Sequence, residues 1–293
     1  MKRTALLLLF AFAAPGLFPG PAPAQSLPSL EDLLSGLPGQ AVPSSLPPFR
    51  VRQYLSPASG LTGEKLFQYL HEATVPLRGG KDYLNAKKYM FSVADNTGCA
   101  GSPGVVAFYS QVCVKGASEH GEDYKEQGDV NGDGLVDSGG MNAEHSWPQG
   151  FFNQAAPMKS DLHHIFPTFI SVNGMRGSEP FAEVSRPSYA TNSGSMLGAE
   201  GFEPCDAVKG NIARAILYFV VRYYDRNIHD GVDYRTFWTS RVPLFLAWDR
   251  QDPPDAAELR RNALIGSFQG NRNPFVDDTT LAARVGLKVF QSH

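Results

Sequence analysis

Apolar residues recur at helical spacing along much of this 293-residue chain. Within residues 62–74, Leu66, Leu70 and Ala73 share one face and Pro76 stops the run, so a helix is expected there. Residues 82–94 are a second candidate, with Leu84, Lys88 and Phe91 at mixed spacing. The clearest pattern is 208–224, where Ile212, Ile216, Phe219, Val220 and Tyr223 form a stripe wide enough for a core helix. An amphipathic helix is expected over 256–268, after Pro253-Pro254. Short runs at 105–109, 143–147 and 162–166 read as strands, and 169–175 as one or two helical turns. Residues 115–140 are polar, acidic and glycine-rich, hence loop. No internal repeat is visible. The reading is α+β: a largely helical, loop-rich single domain over 54–293.

The first 53 residues read differently. Lys2 and Arg3 precede an apolar run over 4–14, too short to span a bilayer, and Ala22-Pro23-Ala24 supplies a small-x-small cleavage site. Residues 1–24 are therefore expected to be a signal peptide. A retained anchor is the alternative, but no stop-transfer pattern follows. Residues 25–53 are proline-rich with little periodicity and read as a linker or tail. No later segment is apolar enough to span a membrane. An exported monomer, periplasmic or extracellular, is the expectation.

Hydrophobic residues make up 42% of the chain, enough for a sizeable core. The formal net charge is −3, and losing residues 1–24 removes Lys2 and Arg3 but no acid. That weighs against simple electrostatic binding of nucleic acid, although a local basic patch can coexist with a negative total. Export permits disulfides. Cys99 and Cys113 flank a short segment, and a local bridge between them, leaving Cys205 free, is the favoured pairing. No C-x-x-C is present, which argues against a zinc ribbon.

The chemistry concentrates between Asn142 and Phe181, which hold Glu144, His145, Asp161, His163, His164, Asn173 and Arg176. A neutral imidazole such as His145 can take a proton from water. A carboxylate such as Glu144 and an amide oxygen such as Asn173 suit a hard cation. Arg176 lies three residues after Asn173, on the same face of a helix, and its forked donors suit a phosphate. Each residue alone has a plainer reading: an exposed Glu beside a core His, an Asn in a cap or turn, an Arg as a solvated charge. Together they are the inventory of a metal-assisted phosphodiester hydrolase. Glu144 and His145 are neighbours, so on a strand they would point to opposite faces unless twist, a bulge or a loop brings them together.

These residues also carry a resemblance. Glu144-His145-Ser146-Trp147-Pro148, Asp161-Leu162-His163-His164 with Pro167, Val172-Asn173 with Arg176, and Pro180-Phe181 resemble the bacterial endonuclease I family. The similarity continues through Lys209–Arg214, Trp248 to Pro253, Arg260-Arg261-Asn262 and Gly270 to Phe275, spanning roughly residues 62–278. The resemblance implies a ββα-metal (His-Me finger) core with one divalent cation, usually Mg²⁺. It implies cleavage of DNA, often RNA too, with little sequence preference and 5′-phosphate ends. It makes His145 the general base and Glu144 and Asn173 the metal ligands, puts Arg176 in a recurrent motif assigned here to catalysis, and leaves Asp161 and His163 to orient the site. His164 reads as structural.

A second metal loop lies upstream. Asp129, Asn131, Asp133, Leu135 (through its carbonyl) and Asp137 fall at the spacing of a calcium loop, with Gly134 at the turn. Position 12 is Gly140, so the usual closing carboxylate is missing. A structural Ca²⁺ is expected, in an element inserted at 129–137; the plain alternative is a generic Asp/Gly/Asn turn cluster. Lys209, Arg214, Arg260, Arg261 and Arg272 read equally as phosphate contacts or as salt bridges and turn contacts. Residues 271–275 could equally be a packing motif. The leading class is a secreted, metal-dependent endonuclease. A calcium-stabilised extracellular binding module without catalysis and an HNH-type enzyme acting on another phosphodiester are the competitors.

Overall fold

The structure is a computed structural model that describes residues 56–77 and 82–293. The expected signal peptide and proline-rich linker lie outside the described residues. In chain order the elements are α1 (Gly63–Ala73), α2 (Tyr83–Tyr89), β1 (Gly104–Val106), β2 (Cys113–Lys115), β3 (Met141–His145), β4 (Ile165–Phe169), α3 (Ile170–Arg176), β5 (Tyr189–Ala190), β6 (Met196–Gly198), β7 (Gly201–Glu203), α4 (Lys209–Tyr223), α5 (Tyr234–Phe237), α6 (Val242–Gln251), α7 (Ala256–Gln269), α8 (Pro274–Asp277), α9 (Leu281–Val285) and α10 (Leu287–Ser292). The strands pair antiparallel as β1–β2, β3–β4 and β5–β6–β7. This is an α+β molecule, as the pattern predicted.

Helix α4 is the axis of the core. Every residue in it except Asn211 is buried, which its wide apolar stripe requires. It packs on α6, α1 and the turn at Leu162–His164. Gly210 allows the closest approach, because a Cβ there would collide with the Asp252 carbonyl. Helix α7 starts at Asp255, whose side chain accepts from the Glu258 amide and satisfies an otherwise orphan donor. Helix α2 is capped in the same way by Asp82. It runs on into a π-helical turn, Met90–Ala94. Cys99 and Cys113 form the expected disulfide, and Cys205 is free and buried.

Three strand expectations shift. The run at 105–109 becomes β1, Gly104–Val106, and the chain then turns so that Tyr109 is delivered to the interior. The run at 143–147 pairs two residues earlier, as β3; beyond it the Trp147 indole donates to the Ile228 carbonyl at 2.7 Å. The run at 162–166 is a 3-10 turn, Leu162–His164, followed by β4. The cause is Asp161, whose carboxylate accepts from the His163 amide and winds the chain before it can extend. Residues 115–140 are mostly loop, with β2 ending at Lys115 and one 3-10 turn at Gly121–Asp123.

Candidate catalytic and metal site

Strands β3 and β4 pair in register from Met141↔Phe169 to His145↔Ile165, and β4 runs directly into α3. Regular pairing means that Asn142 and Glu144 face one side and His145 the other. The contacts agree. On the first side, Glu144 is 2% exposed, and its Oε1 accepts from the Tyr109 hydroxyl at 2.7 Å and lies 3.3 Å from Arg176 Nη1. One turn earlier on α3, the Asn173 amide donates to Asn142 Oδ1 at 2.7 Å. Two rungs therefore join strand to helix: Glu144 to Arg176, and Asn142 to Asn173. Burial raises the Glu144 carboxyl above its usual range; Arg176 and the Tyr109 hydroxyl pull the other way without cancelling it.

Arg176 is almost fully buried. It donates to the carbonyls of His145 and Gly177, each at 3.2 Å, and of Ser146 at 2.7 Å, and its guanidinium lies 4.7 Å from the Phe181 ring centre. The guanidinium thus clamps the end of β3 instead of standing in solvent.

His145 ends the strand on the other side. Its Nε2 lies 3.1 Å from the Lys159 carbonyl, and its ring is 5.7 Å from Tyr83 and 5.5 Å from His164. Burial, reinforced by His164, pushes its pKa down to about 3, so the ring is neutral at pH 7. The structure joins Glu144 to Arg176 directly and ties Asn173 to the same strand face through Asn142; His145 meets Arg176 through the main chain, by the Arg176 bond to its carbonyl.

Asp161 and His163 lie in the interior beyond His145. Asp161 accepts from the Tyr218 and Tyr223 hydroxyls at 2.7 Å each and from Gln269 at 2.8 Å. Burial alone would raise its pKa, but His163, His164 and these donors hold it below the usual carboxylate value. His163 bonds the Asn271 carbonyl at 3.0 Å and His164 the Met158 carbonyl at 2.7 Å. Burial lowers both imidazoles to about 4, against the pull of Asp161.

Two contributors escaped the sequence reading. Tyr109 sits in an apolar run and looked like core; Asn142 was legible in principle, being two positions from Glu144 on the same strand face. Outside the site, Lys209, Arg214, Arg261 and Arg272 pair with Glu203, Glu258, Asp95 and Asp277, so the salt-bridge reading holds for these four. Residues 271–275 pack: Asn271 donates to the Tyr218 hydroxyl, and Asn273 caps the Phe275 amide.

In the upstream loop, Asp129 accepts from the Asp133 and Gly134 amides, both at 3.0 Å. Asp133 accepts from the Leu135 amide at 2.9 Å and the Tyr189 hydroxyl at 2.6 Å. Asn131 is fully buried and its amide group lies 3.3 Å from Asp137 Oδ2. Glu126, which the sequence did not single out, accepts from the Val130 and Asn131 amides and sits against Asp137; burial raises its pKa. Asp137 in turn accepts from the Ser171 amide and hydroxyl at the start of α3. Among the described residues, no three His, Cys, Asp or Glu side chains converge as a metal-binding group.

No helix among the described residues is long and apolar enough to cross a membrane. The family described as Endonuclease I matches residues 79–280. An extracellular ribonuclease of Bacillus amyloliquefaciens is 35% identical over 149 residues, covering 47% of this chain and 51% of that protein. A periplasmic deoxyribonuclease of Aeromonas hydrophila is 35% identical over 124 residues, covering 41% and 48%. An extracellular deoxyribonuclease of the same organism is 35% identical over 130 residues, covering 43% and 52%. The matches thus span about half the length of these relatives.

Proposed function

Because this chain belongs to the endonuclease I family, we propose that it is an exported, metal-dependent endonuclease that hydrolyses phosphodiester bonds of DNA, and of RNA where presented, with little sequence preference and 5′-phosphate products. The observation that carries the reading is the pair of rungs between β3 and α3, Glu144 to Arg176 and Asn142 to Asn173, with His145 at the strand end. The order β3, β4, α3 is that of a ββα-metal unit, which supports assigning that core. Domain limits follow: signal peptide 1–24, linker 25–53, and a monomeric catalytic domain 54–293 carrying the inserted loop 129–137. The relatives' periplasmic and extracellular descriptions support export.

The donor set fits a hard, largely hydrated cation such as Mg²⁺. It offers one carboxylate, Glu144, and one amide, Asn173, whose nitrogen is spent on Asn142 so that its oxygen is the uncommitted atom. A cation held there would neutralise charge developing on the phosphate and on the leaving 3′ oxygen. His145 acts as the base for water. Its Nε2 faces the Lys159 carbonyl and the ring also meets the Ala143 carbonyl, two backbone acceptors that fix its orientation at the strand end. Tyr109 and Arg176 steady Glu144, and Arg176 also fixes the His145–Ser146 backbone; buried as it is, it serves by positioning. Asp161 and His163 anchor the turn leading into β4. The upstream loop, with its oxygen-only donors and the adjoining Glu126 and Asp137, fits a structural Ca²⁺.

Plasmid DNA incubated with the purified mature chain and Mg²⁺ should be degraded, and EDTA should stop it. His145→Ala should lose about 10²–10⁴-fold in rate, the usual worth of a general base. Near-wild-type cleavage by that variant would sink the assignment. An inert wild type would favour the calcium-stabilised binding module.

A further inference from the structure

We propose that Lys87 and Lys159, gathered around the Tyr83 ring, form a phosphate-binding cradle for the substrate strand beside His145. The inference rests on the nuclease reading and adds to it the residues that recruit a polyanion to an acidic protein. Tyr83 and Lys87 are one turn apart on α2, so their side chains share a face. Lys159 comes from the distant 3-10 turn Met158–Ser160. Lys87 Nζ lies 5.0 Å and Lys159 Nζ 4.9 Å from the Tyr83 ring centre. The two charges are therefore at most about 10 Å apart, close to one Debye length at physiological salt, and each feels the other.

The Tyr83 ring offsets part of their mutual repulsion, and an anion lying near both would offset more. Among the described residues, no carboxylate pairs with either ammonium, and Lys159 Nζ donates to the neutral Gln154 amide at 2.7 Å. Some other cations are matched: Lys88 by Glu119 at 3.2 Å, and Lys209, Arg214 and Arg261 each by an acid. Lys65, Lys115, Lys125 and Lys288 likewise have no ion pair among the described residues, so what distinguishes Lys87 and Lys159 is that both lie over one ring beside His145. On a chain of net charge −3, two ammonium groups held over one ring beside the candidate base offer a phosphodiester a local positive site.

Its position suits the reaction. The Tyr83 ring is 5.7 Å from the His145 ring, and the Lys159 carbonyl is the partner of His145 Nε2. Lys159 thus touches the base through its main chain and the cradle through its side chain. Lys87 also lines a cavity of about 330 Å³ whose wall includes Lys88, Asn142 and Ile170 together with the acids Glu119, which Lys88 neutralises, and Glu122. Asn142 is the partner of Asn173, so a strand lying over the cavity runs from the cradle to the metal-binding amide. Ammonium groups act as point charges and read no bases, which accords with low sequence preference.

The test is steady-state cleavage of duplex DNA across a salt series by wild type, Lys87→Gln, Lys159→Gln and the double variant, with Lys→Arg at each position as charge-preserving controls and thermal melting to check folding. Each Gln variant should raise KM several-fold at low salt while kcat holds. The plot of log kcat/KM against log salt should become shallower by about 0.9 per lysine, the value of one phosphate contact. The Arg variants should keep the wild-type slope. If wild type cleaves but the Gln variants keep its KM and slope, the cradle is overturned while the nuclease reading stands. A fall in kcat with unchanged slope would assign the lysines to packing around His145 and also overturn it. A wild type that cleaves no nucleic acid would sink the nuclease reading and the cradle with it.

Discussion

The Tyr109 hydroxyl donates at 2.7 Å to the carboxylate expected to bind metal, inside a fully buried contact. Burial holds the Tyr109 phenol well above its usual pKa, so it is a permanent donor. A hydrogen bond of this kind favours the charged form of Glu144 and fixes its orientation, and such supporting contacts typically govern 10–100-fold in metal affinity. Tyr109→Phe should therefore raise the Mg²⁺ concentration for half-maximal cleavage about tenfold, with a stability loss of about 1 kcal/mol. An unchanged Mg²⁺ titration would make the hydroxyl a packing feature only. Sequence could single out Glu144, His145 and Asn173 as candidates because they stand in motifs that resemble a known family. It could not find Tyr109, 35 positions from Glu144, because a tyrosine ending an apolar run looks the same whether its hydroxyl faces a carboxylate or water. Nor could it see that Arg176 is spent on three carbonyls, since that depends on how α3 lies against the end of β3.

At the level of elements, the loop at 129–137 is tied to the helix that carries Asn173 and Arg176. Asp137 accepts from both the amide and the hydroxyl of Ser171, in the first turn of α3, and so serves as a cap supplied from another segment. The sequence placed this loop upstream of β3; its contacts run to α3. Calcium should raise the melting temperature of the wild type, and Asp133→Ala should abolish the increment. Ser171→Ala should keep the calcium response but lose about 0.5–2 kcal/mol, the range of a cap, and cleave more slowly. A calcium-insensitive wild type would remove the bracing role. Helices α1 and α4 were legible because each repeats its apolar face over several turns. Helix α7 forms where a helix was expected after Pro253-Pro254, but the side it buries is largely polar, with Glu258, Asn262 and Gln269, instead of the apolar face of an amphipathic helix. The sheet β5–β6–β7 was not, because strands of two or three residues are too short to show a period. The start of β4 was misjudged because one aspartate, competing for backbone amides, overrode an apolar run.

Across the whole molecule, the ββα segment and the helical layer meet at buried titratable groups. Asp161 draws in Tyr218 and Tyr223 from α4 and Gln269 from α7, while His163 reaches Asn271 and the His164 ring lies 4.5 Å from that of Phe219. Burial holds His163 and His164 near 4, below the ordinary histidine value of 6.5. Between those values the unfolded chain binds protons that the folded chain refuses. Their contribution is therefore fully present above about pH 6.5 and is lost as the pH falls toward 4, at up to about 1.4 kcal/mol per pH unit for each histidine. Asp161 acts in a lower window: its depressed pKa contributes above the ordinary aspartate value and is lost only below it. For His164 the facing groups are Asp161, which favours its protonated form, Arg261, which opposes it, and the His145 ring at 5.5 Å. Chemical unfolding at intervals from pH 7.5 to pH 4.5 should show stability falling with acid. In His164→Phe, which keeps an aromatic ring against Phe219 but cannot titrate, the slope should be shallower by as much as one proton's worth even though the variant is less stable at neutral pH, where the Met158 carbonyl loses its partner. Parallel slopes for the two proteins would mean that His164 does not contribute to acid unfolding.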